Sequence, residues 1–304
     1  MVTYVPAAVS QGRSSTLTLP IFSALFTERV AVVKRLTGER VGHAGTLDPE
    51  AAGVLPIMVG RATRVLDYFT DKSKSYAAQI AFAGATDTQD AQGVLITPCE
   101  KVPSREEIEN VLPAFTGIIM QRPPAYSAIK IGGKPLYALA RKGEMVEAKE
   151  RETEIRSLIL GDQVGMDAYM LHVDCGSGTY IRTLCHDIGR ALSAPAHMRF
   201  LLRTRHGGFA LENAVTIEEV MRAAEMETME KLLLPMDWPL QAMKRLDVDE
   251  KYSVPVKNGA KLPLNLFPEA EENEIFRVYL ADKLCGLYRK DADVLHCCIG
   301  LYHE

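Results

Sequence analysis

Residues 41–60 read VGHAGTLDPEAAGVLPIMVG. Three glycines in this segment, Gly42, Gly45 and Gly53, permit left-handed backbone and the close approach of another surface. The pair Asp48-Pro49 predicts the start of a helix, because proline is tolerated at the first helical position and aspartate caps exposed N–H groups. The residues that follow are apolar enough to be buried. A carboxylate beside an apolar wall is unfavourable unless a cation neutralises it, so the sequence predicts a cationic partner for Asp48.

Taken without the rest of the chain, two residues of this segment have simpler interpretations. Asp48 is typical of a residue that only caps a helix. His43 is typical of a loop histidine whose ring is satisfied by its surroundings. Neither residue by itself demands a chemical role.

The longer segment 42–64, GHAGTLDPEAAGVLPIMVGRATR, resembles the signature of the TruB family of pseudouridine synthases, written GH-T/A-G-x-LDP-x-A-x-G-x-LP. The motif is long and dense, so a chance match is improbable. The resemblance implies an enzyme that converts a uridine of RNA to pseudouridine, with Asp48 as the catalytic residue. It also implies that His43 fills the space that the flipped base leaves.

The composition is that of a soluble globular protein of 304 residues, with 47% hydrophobic and 24% charged residues. No apolar run is long enough to span a membrane, and the first residues lack the pattern of a secretory signal. We therefore expect a cytoplasmic protein that does not contact a membrane.

The charge and the cysteines narrow the class further. A net charge of −4 argues mildly against a dedicated nucleic-acid binder, but basic residues cluster within 130–142 and 182–205 while acidic residues cluster within 269–274. None of the six cysteines forms a CxxC pair, so we expect no metal site. No P-loop or dinucleotide fingerprint is present. The sequence therefore predicts no cofactor.

Two segments that follow the central motif fit the same family. Residues 75–83 alternate as a strand does, and a tyrosine such as Tyr76 in a half-buried strand is ordinarily a packing residue. The resemblance implies that Tyr76 stacks on the target base. The segment 84–93, GATDTQDAQG, is ordinarily a polar turn but is similar to the family's TDT-x-D-x-x-G loop. The resemblance implies that Asp90 pairs with an arginine and does not act as a general base.

A basic loop is predicted at about residues 121–151. Its first part reads QRPPAYSAIKIGGKPLYALARKG, in which Pro123-Pro124 excludes a helix. A solvated surface hairpin explains this composition equally well. The resemblance implies an RNA-gripping loop in which Lys130 and Arg141 contact RNA.

The second anchor of the resemblance is CGSGTYIRTLCHDI at residues 175–188. The family has CS-x-GTYIR-[ST]-L-x-x-D-[LI]-G here, so Gly176 replaces a serine. An arginine is most often used in a surface salt bridge, but the resemblance makes Arg182 the active-site arginine, and a guanidinium binds a carboxylate in a fork geometry. It also implies that Tyr180 and Leu201, the latter within HMRFLLRTRHGGF at 197–209, shape the uridine pocket.

The N-terminal region departs from the family. A Lys-Pro-x-Gly-x-Thr-Ser turn is normally found between the first strand and the first helix. The corresponding positions are occupied by Pro20, Ile21, Ser23, Leu25 and Phe26. We expect a different turn here, with a lower contribution to the active-site floor.

Local patterns predict the remaining elements. They are a strand at 16–19, helices at 28–36, 104–112, 136–142 and 215–224, strands at 154–161 and 169–175 joined by a turn at 161–165, and C-terminal strands at 276–280, 283–288 and 294–301.

The resemblance implies an α+β pseudouridine synthase fold with a mixed, largely antiparallel sheet flanked by helices. It also implies that residues 1–240 form the catalytic domain, and that the short strands of 246–304 form a small PUA-like β-barrel that binds RNA. The resemblance implies uridine 55 in the TΨC loop of tRNA as the target, and a monomer that requires no protein partner. Whether Asp48 attacks C1′, attacks C6 or first removes the 2′ proton stays open.

Two other functions remain open at this point. The chain is also compatible with a guide-RNA-dependent relative, although such proteins usually carry a longer C-terminal region and basic tails. Because of the altered N-terminal turn, a tRNA-binding or folding-helper protein with little or no turnover is the alternative from a different class.

Overall fold

The computed structural model describes residues 15–21, 26–127, 129–140, 142–144, 146 and 148–302. In chain order, the elements up to residue 140 are β1 (Ser15–Ile21), α1 (Phe26–Thr37), β2 (Val41–His43), β3 (Ala52–Val59), β4 (Lys74–Ala81), β5 (Ala85–Thr86), β6 (Leu95–Thr97), α2 (Arg105–Val111), β7 (Gly117–Gln121), β8 (Lys130–Ile131), β9 (Lys134–Pro135) and α3 (Leu136–Ala140). A 3-10 helix at Gly60–Tyr68 follows β3.

The remaining elements are β10 (Arg151–Val164), β11 (Ala168–Cys175), α4 (Ile181–Ala191), β12 (His197–His206), β13 (Phe209–Ala210), α5 (Ile217–Glu225), β14 (Leu234–Pro235), β15 (Arg245–Asp247), α6 (Ser253–Lys257), β16 (Leu262–Pro263), β17 (Ile275–Leu280), β18 (Lys283–Asp291) and β19 (Val294–Gly300).

A ten-stranded sheet forms the larger part of the protein. Its strand order is β14-β1-β3-β12-β4-β11-β10-β7, with β2 paired to β3 and β13 paired to β12. Its neighbouring strands are antiparallel except for β12 and β3, which run parallel where Leu202 pairs with Ala52 and Arg203 with Gly53. The prediction of a mixed, largely antiparallel sheet is confirmed.

The prediction that a helix begins at Asp48-Pro49 is wrong. The chain instead makes a turn, in which the Ala51 N–H donates to the Asp48 carbonyl at 2.9 Å, and then enters β3. Every residue of β3 is buried. A continuous apolar run buried on both faces is typical of a central strand, and Pro56 within it would have disrupted a helix. For the same reason Asp48 is not a helix cap.

Helices cover the two faces of the sheet. On one face α1 and α5 pack against the odd-numbered side chains of β3, in a cluster that includes Val33, Leu55, Ile57 and Val220. On the other face α4 packs against β4 and β11. The predicted helices at 104–112 and 215–224 are present as α2 and α5, and each begins with a capping box, formed by Ser104 and Glu107 in α2 and by Thr216 and Glu219 in α5.

The turn between β10 and β11 lies later in the chain than predicted. β10 continues to Val164, and the reversal occurs at residues 165–167. The register shifts between Leu160 and Gln163, so Gly161 lies at a β-bulge rather than in a turn. A glycine inside a strand often marks such a bulge.

The C-terminal strands form a separate five-stranded sheet with the order β15-β17-β18-β19-β16. The three predicted strands correspond to β17, β18 and β19. This sheet packs against the 3-10 helix that follows β3, because Val65 of that helix shares an apolar cluster with Leu240, Leu287 and Leu301. It is also fixed by a hydrogen bond from Arg64 Nη1 to the Gly300 carbonyl at 2.6 Å.

Two further features concern the sequence expectations. Of the five positions where the N-terminal turn departs from the family, Pro20 and Ile21 lie in β1 and Phe26 opens α1. Ser23 and Leu25 lie outside the described residues.

None of the helices in the described ranges has the length and apolar character needed to cross a membrane.

Gly53 makes the parallel contact possible, and its replacement tests the fold. Its φ is +116°, and an added Cβ would lie 2.1 Å from the Arg203 carbonyl oxygen. We expect Gly53→Ala to lower the free energy of unfolding by about 3 kcal/mol or more, because a collision is added to backbone strain. Urea denaturation followed by circular dichroism measures this loss.

Gly165→Ala is the matched control. Gly165 also has a positive φ, of +64°, but nothing lies within 4 Å of the added Cβ, so we expect a loss of only about 1–2 kcal/mol from strain. Equal losses for the two variants would contradict the proposed importance of the contact between β3 and β12.

Candidate active site

Asp48 lies on the loop between β2 and β3, at the edge of the apolar core. Its side chain is 34% exposed, whereas its neighbours Leu47 and Ala51 are buried in the same cluster as Tyr76 and Leu201. The carboxylate therefore stands at the edge of a buried apolar cluster. This position requires a nearby cation.

Arg182 provides that cation from the first turn of α4. Its side chain is only 6% exposed, and its Nη2 lies 2.8 Å from Asp48 Oδ1 while its Nη1 lies 3.4 Å from Asp90 Oδ2. The same guanidinium donates to the Tyr126 carbonyl at 3.1 Å and to the Thr88 carbonyl at 3.5 Å. Arg182 thus joins the Asp48 loop, the Asp90 loop and the 121–151 loop at one point.

Asp90 is fixed by its own loop. Its Oδ1 accepts hydrogen bonds from the Thr88 hydroxyl at 2.6 Å and from the Gln92 N–H at 3.1 Å. Its other oxygen is therefore directed to Arg182. The loop is joined to β12 by the Met198 N–H, which donates to the Gln89 carbonyl at 3.0 Å.

Burial raises the pKa of Asp48 above its usual value, and the charge of Asp90 raises it further. Arg182 lowers this pKa through its charge and its hydrogen bond, but the net direction remains upward. The cation that the sequence predicts beside Asp48 is present, but the net shift of the pKa is upward because the carboxylate loses more hydration than the single guanidinium restores.

Tyr76 and Leu201 belong to the apolar cluster beside Asp48. Tyr76 lies on β4, and Leu201 on β12 pairs with Ala78 of that strand. Both side chains are buried. Burial raises the pKa of Tyr76 to about 12, so its phenol is protonated at physiological pH.

Tyr180 and His43 flank the site. Tyr180 immediately precedes α4, where its N–H donates to Gln121 Oε1 at 3.0 Å and its carbonyl accepts from Gln121 Nε2 at 3.3 Å. His43 ends β2, and both burial and the charge of Arg203 lower its pKa. The imidazole is therefore neutral at physiological pH.

The 121–151 loop contains the β8–β9 hairpin, α3 and a small apolar cluster of Leu136, Leu139 and Ala148. Arg141 and the side chain of Lys130 lie outside the described residues. A cleft of about 1020 Å³ separates the loop from α4, and its lining includes Arg122, Glu150 and Thr183. Asp48 does not line this cleft.

Two residues of the site were not predicted from the sequence. Gln121 is almost fully buried and fixes the backbone of Tyr180 at the start of α4. Arg203, also buried, contacts the Asp48 loop and Tyr76. A charged residue inside an otherwise apolar strand signals Arg203, because such a residue is rarely buried without partners. No sequence signal distinguishes Gln121.

No group of three or more His, Cys, Asp or Glu side chains is placed to hold a metal ion within the described part of the chain.

Solved structures share this fold. It aligns with a structure titled "Crystal Structure of a Cbf5-Nop10-Gar1 Complex" with a TM-score of 0.72 at 24% identity, covering 95% of this chain and 85% of that one. A second, "Structure of H/ACA RNP bound to a substrate RNA containing 2'-deoxyuridine", gives 0.71 at 22% identity with the same coverage. At these identities the likeness concerns the fold alone.

Sequence comparison identifies the family. Residues 33–181 match the TruB family pseudouridylate synthase N-terminal domain, and residues 182–241 match the tRNA pseudouridylate synthase B C-terminal domain. The tRNA pseudouridine synthase B of Geobacillus thermodenitrificans is 40% identical over 86% of this chain and 89% of that protein. That of Listeria innocua is 40% identical over 84% and 86%. The chain belongs to the TruB family, as the resemblance predicted.

The ionisation of Asp48 tests the electrostatics of the site. We expect its titration midpoint, followed by carboxyl ¹³C NMR and assigned with Asp48→Asn, to lie above 3.8, the ordinary pKa of an aspartate side chain. Asp90→Asn should lower this midpoint, because it removes a neighbouring negative charge. The ionised form is lost as pH falls through the pKa, so the variant should retain the Asp48 carboxylate to lower pH.

Asp167→Asn is the control, because Asp167 pairs with Arg199 on the surface and should leave the Asp48 midpoint unchanged. A wild-type midpoint below 3.8, or an upward shift in Asp90→Asn, would contradict this description of the site.

Proposed function

We propose that this protein isomerises a uridine of tRNA to pseudouridine. The observation that carries the proposal is the Arg182–Asp48 pair at 2.8 Å beside buried Tyr76, in a chain that is 40% identical to proteins named tRNA pseudouridine synthase B over most of its length. Asp48 is the catalytic residue, Arg182 orients its carboxylate, and Tyr76 contacts the base.

The reaction balances without an external oxidant or reductant. The C1′–N1 bond of uridine breaks, the base rotates, and a C5–C1′ bond forms. The C5 proton leaves to solvent and N1 gains a proton. We therefore propose no cofactor for this protein.

Arg182 gives the Asp48 carboxylate a defined orientation. It binds Oδ1, so we assign Oδ2 as the oxygen that acts on the substrate. The raised pKa of Asp48 makes the carboxylate more basic than a solvated one, which favours both nucleophilic attack and removal of a proton. Attack on C1′ would resemble the first step of retaining glycosidases. Attack on C6 and removal of the 2′ proton use the same oxygen.

The apolar part of the pocket suits a uracil ring. Extruding a nucleotide from a folded loop costs a few kcal/mol, and stacking on an aromatic ring returns about 1–3 kcal/mol per base. Tyr76 provides the ring, while Leu201 and Tyr180 shape the pocket around it. Neutral His43 occupies the space that the base leaves in the RNA.

We propose that the rest of the chain selects the RNA. The 121–151 loop grips it through Lys130 and Arg141, and residues 246–304 form a compact PUA-like domain that binds RNA next to the catalytic domain of residues 1–240. Uridine 55 in the TΨC loop is the proposed target, because single-stranded loops are the parts of RNA that proteins read most readily.

We further propose that the protein works as a cytoplasmic monomer without a protein partner. The tRNA pseudouridine synthase B of Geobacillus thermodenitrificans is 40% identical to this chain, whereas the matching chain of the Cbf5-Nop10-Gar1 complex is 24% identical. This difference favours a stand-alone tRNA enzyme over a guide-RNA-dependent one.

Tritium release tests this function. A tRNA transcript labelled at C5 of uridine should lose tritium with the wild-type protein, and conversion of uridine 55 to cytidine in the transcript should abolish the release. Asp48→Asn should release none while still binding tRNA in a filter assay, because it lacks the acting oxygen but keeps the pocket. Asp167→Asn is the control and should behave as wild type.

If the wild type releases no tritium but binds tRNA, the alternative of an RNA-binding or folding-helper protein replaces the proposed function. Release that does not depend on uridine 55 would contradict the proposed target and leave the enzyme activity established.

A further inference from the structure

Arg203 is an unusual residue for the centre of a sheet. It lies on β12 between β3 and β4 and is only 1% exposed. Among the described residues it is the largest side chain that is fully buried. Within the described ranges no acidic side chain forms an ion pair with its guanidinium, whereas Tyr76, His43, Lys74 and His206 all lie close enough to interact with its charge. A buried charge of this kind is costly, so its hydrogen bonds must compensate.

Two of these hydrogen bonds hold the segment that carries Asp48. Arg203 Nε donates to the Val54 carbonyl at 2.8 Å, and Nη2 donates to the Gly45 carbonyl at 2.9 Å. Gly45 precedes Asp48 by three residues and Val54 follows it by six. The guanidinium therefore binds the backbone on both sides of the catalytic loop.

The same group also fixes Tyr76. Arg203 and Tyr76 are directly opposed across β12 and β4, so their side chains leave the sheet on the same face. The guanidinium therefore lies beside the phenol, and its charge partly opposes the effect of burial on the pKa of Tyr76.

The base of the Arg203 side chain has little freedom to move. Gly53 lies so close to it that an added Cβ would be 2.6 Å from the Arg203 nitrogen and 2.1 Å from its oxygen. The parallel pairing of the two residues keeps them in register. The backbone of Arg203 is therefore fixed in position, which limits where its side-chain N–H groups can lie.

We propose that Arg203 is a positioning residue that holds Asp48 and Tyr76 in one arrangement for the reaction. It reaches Asp48 only through the loop backbone and does not touch the reacting atoms, so it acts through other residues. This role rests on the proposed function, because the arrangement matters for turnover only if Asp48 and Tyr76 act on the uridine.

Three variants, Arg203→Lys, Arg203→Gln and Arg203→Met, test the role in the tritium-release assay with tRNA. We expect Arg203→Met and Arg203→Gln to lower kcat by about 10²-fold, because a displacement of about 1 Å at a reacting group has that effect. Arg203→Lys should recover part of the loss, since one ammonium replaces only some of the bonds. The Kd for tRNA should change by less than about 3-fold, a difference of under 1 kcal/mol.

Arg29→Met is the matched control. It removes an arginine that joins α1 to α5 by a 3.1 Å bond to Glu218, away from the catalytic loop, and kcat should equal that of the wild type. Arg203→Met should also be non-additive with Tyr76→Phe, because both changes remove the same contact. A purely structural role would lower stability without this coupling.

Several results would overturn the proposed positioning role of Arg203. A folded Arg203→Met or Arg203→Gln with wild-type kcat overturns the proposal, as does strict additivity with Tyr76→Phe. If all three Arg203 variants fail to fold while Arg29→Met folds, Arg203 is a structural residue and the proposal is also overturned. Absence of turnover in the wild type would instead reject the proposed function, so the two failures are distinguishable.

Discussion

The ion pair between Arg182 and Asp48 is the interaction on which the site depends. It places a carboxylate at the edge of an apolar pocket, where burial raises its pKa, and supplies enough opposing charge to limit that rise. Because the same guanidinium reaches Asp90 and the Tyr126 carbonyl, three loops that are distant in sequence meet at one cation. A site that acts on a base extruded from RNA needs such a preorganised arrangement, since the substrate itself supplies little of it.

The large sheet positions the loop and the strands that surround Arg182. The only parallel pairing in the described part of the large sheet joins β3 to β12, where Gly53 permits close backbone contact with Arg203. β3 follows the Asp48 loop directly, and β4, on the other side of β12, carries Tyr76. The Asp48 loop and the Tyr76 ring are therefore held by two strands, β3 and β4, that share one central neighbour. The close backbone contact that Gly53 allows between β3 and β12 thus helps to set the positions of Asp48 and Tyr76 relative to each other.

Part of this arrangement follows from the sequence. Dense motifs identified the family and the residues Asp48, Tyr76 and Arg182, and capping boxes located α2 and α5, because these signals depend on neighbouring residues only. The helix expected at Asp48 was wrong because full burial on both sides of a strand is a tertiary property, which overrides the local preference of Asp-Pro. Gln121 and Arg203 were not predicted for a similar reason, since their partners lie about 60 and 150 residues away in the chain.

The rate of a single turnover in Arg182→Lys tests the central claim most directly. Lysine keeps the charge but cannot hold Asp48 and Asp90 with a planar fork. With saturating enzyme and tRNA labelled at C5 of uridine, we predict a rate about 10²-fold below that of the wild type, with the Kd for tRNA changed by less than about 3-fold. A folded variant whose single-turnover rate equals that of the wild type would contradict the claim that the guanidinium of Arg182 orients the catalytic carboxylate.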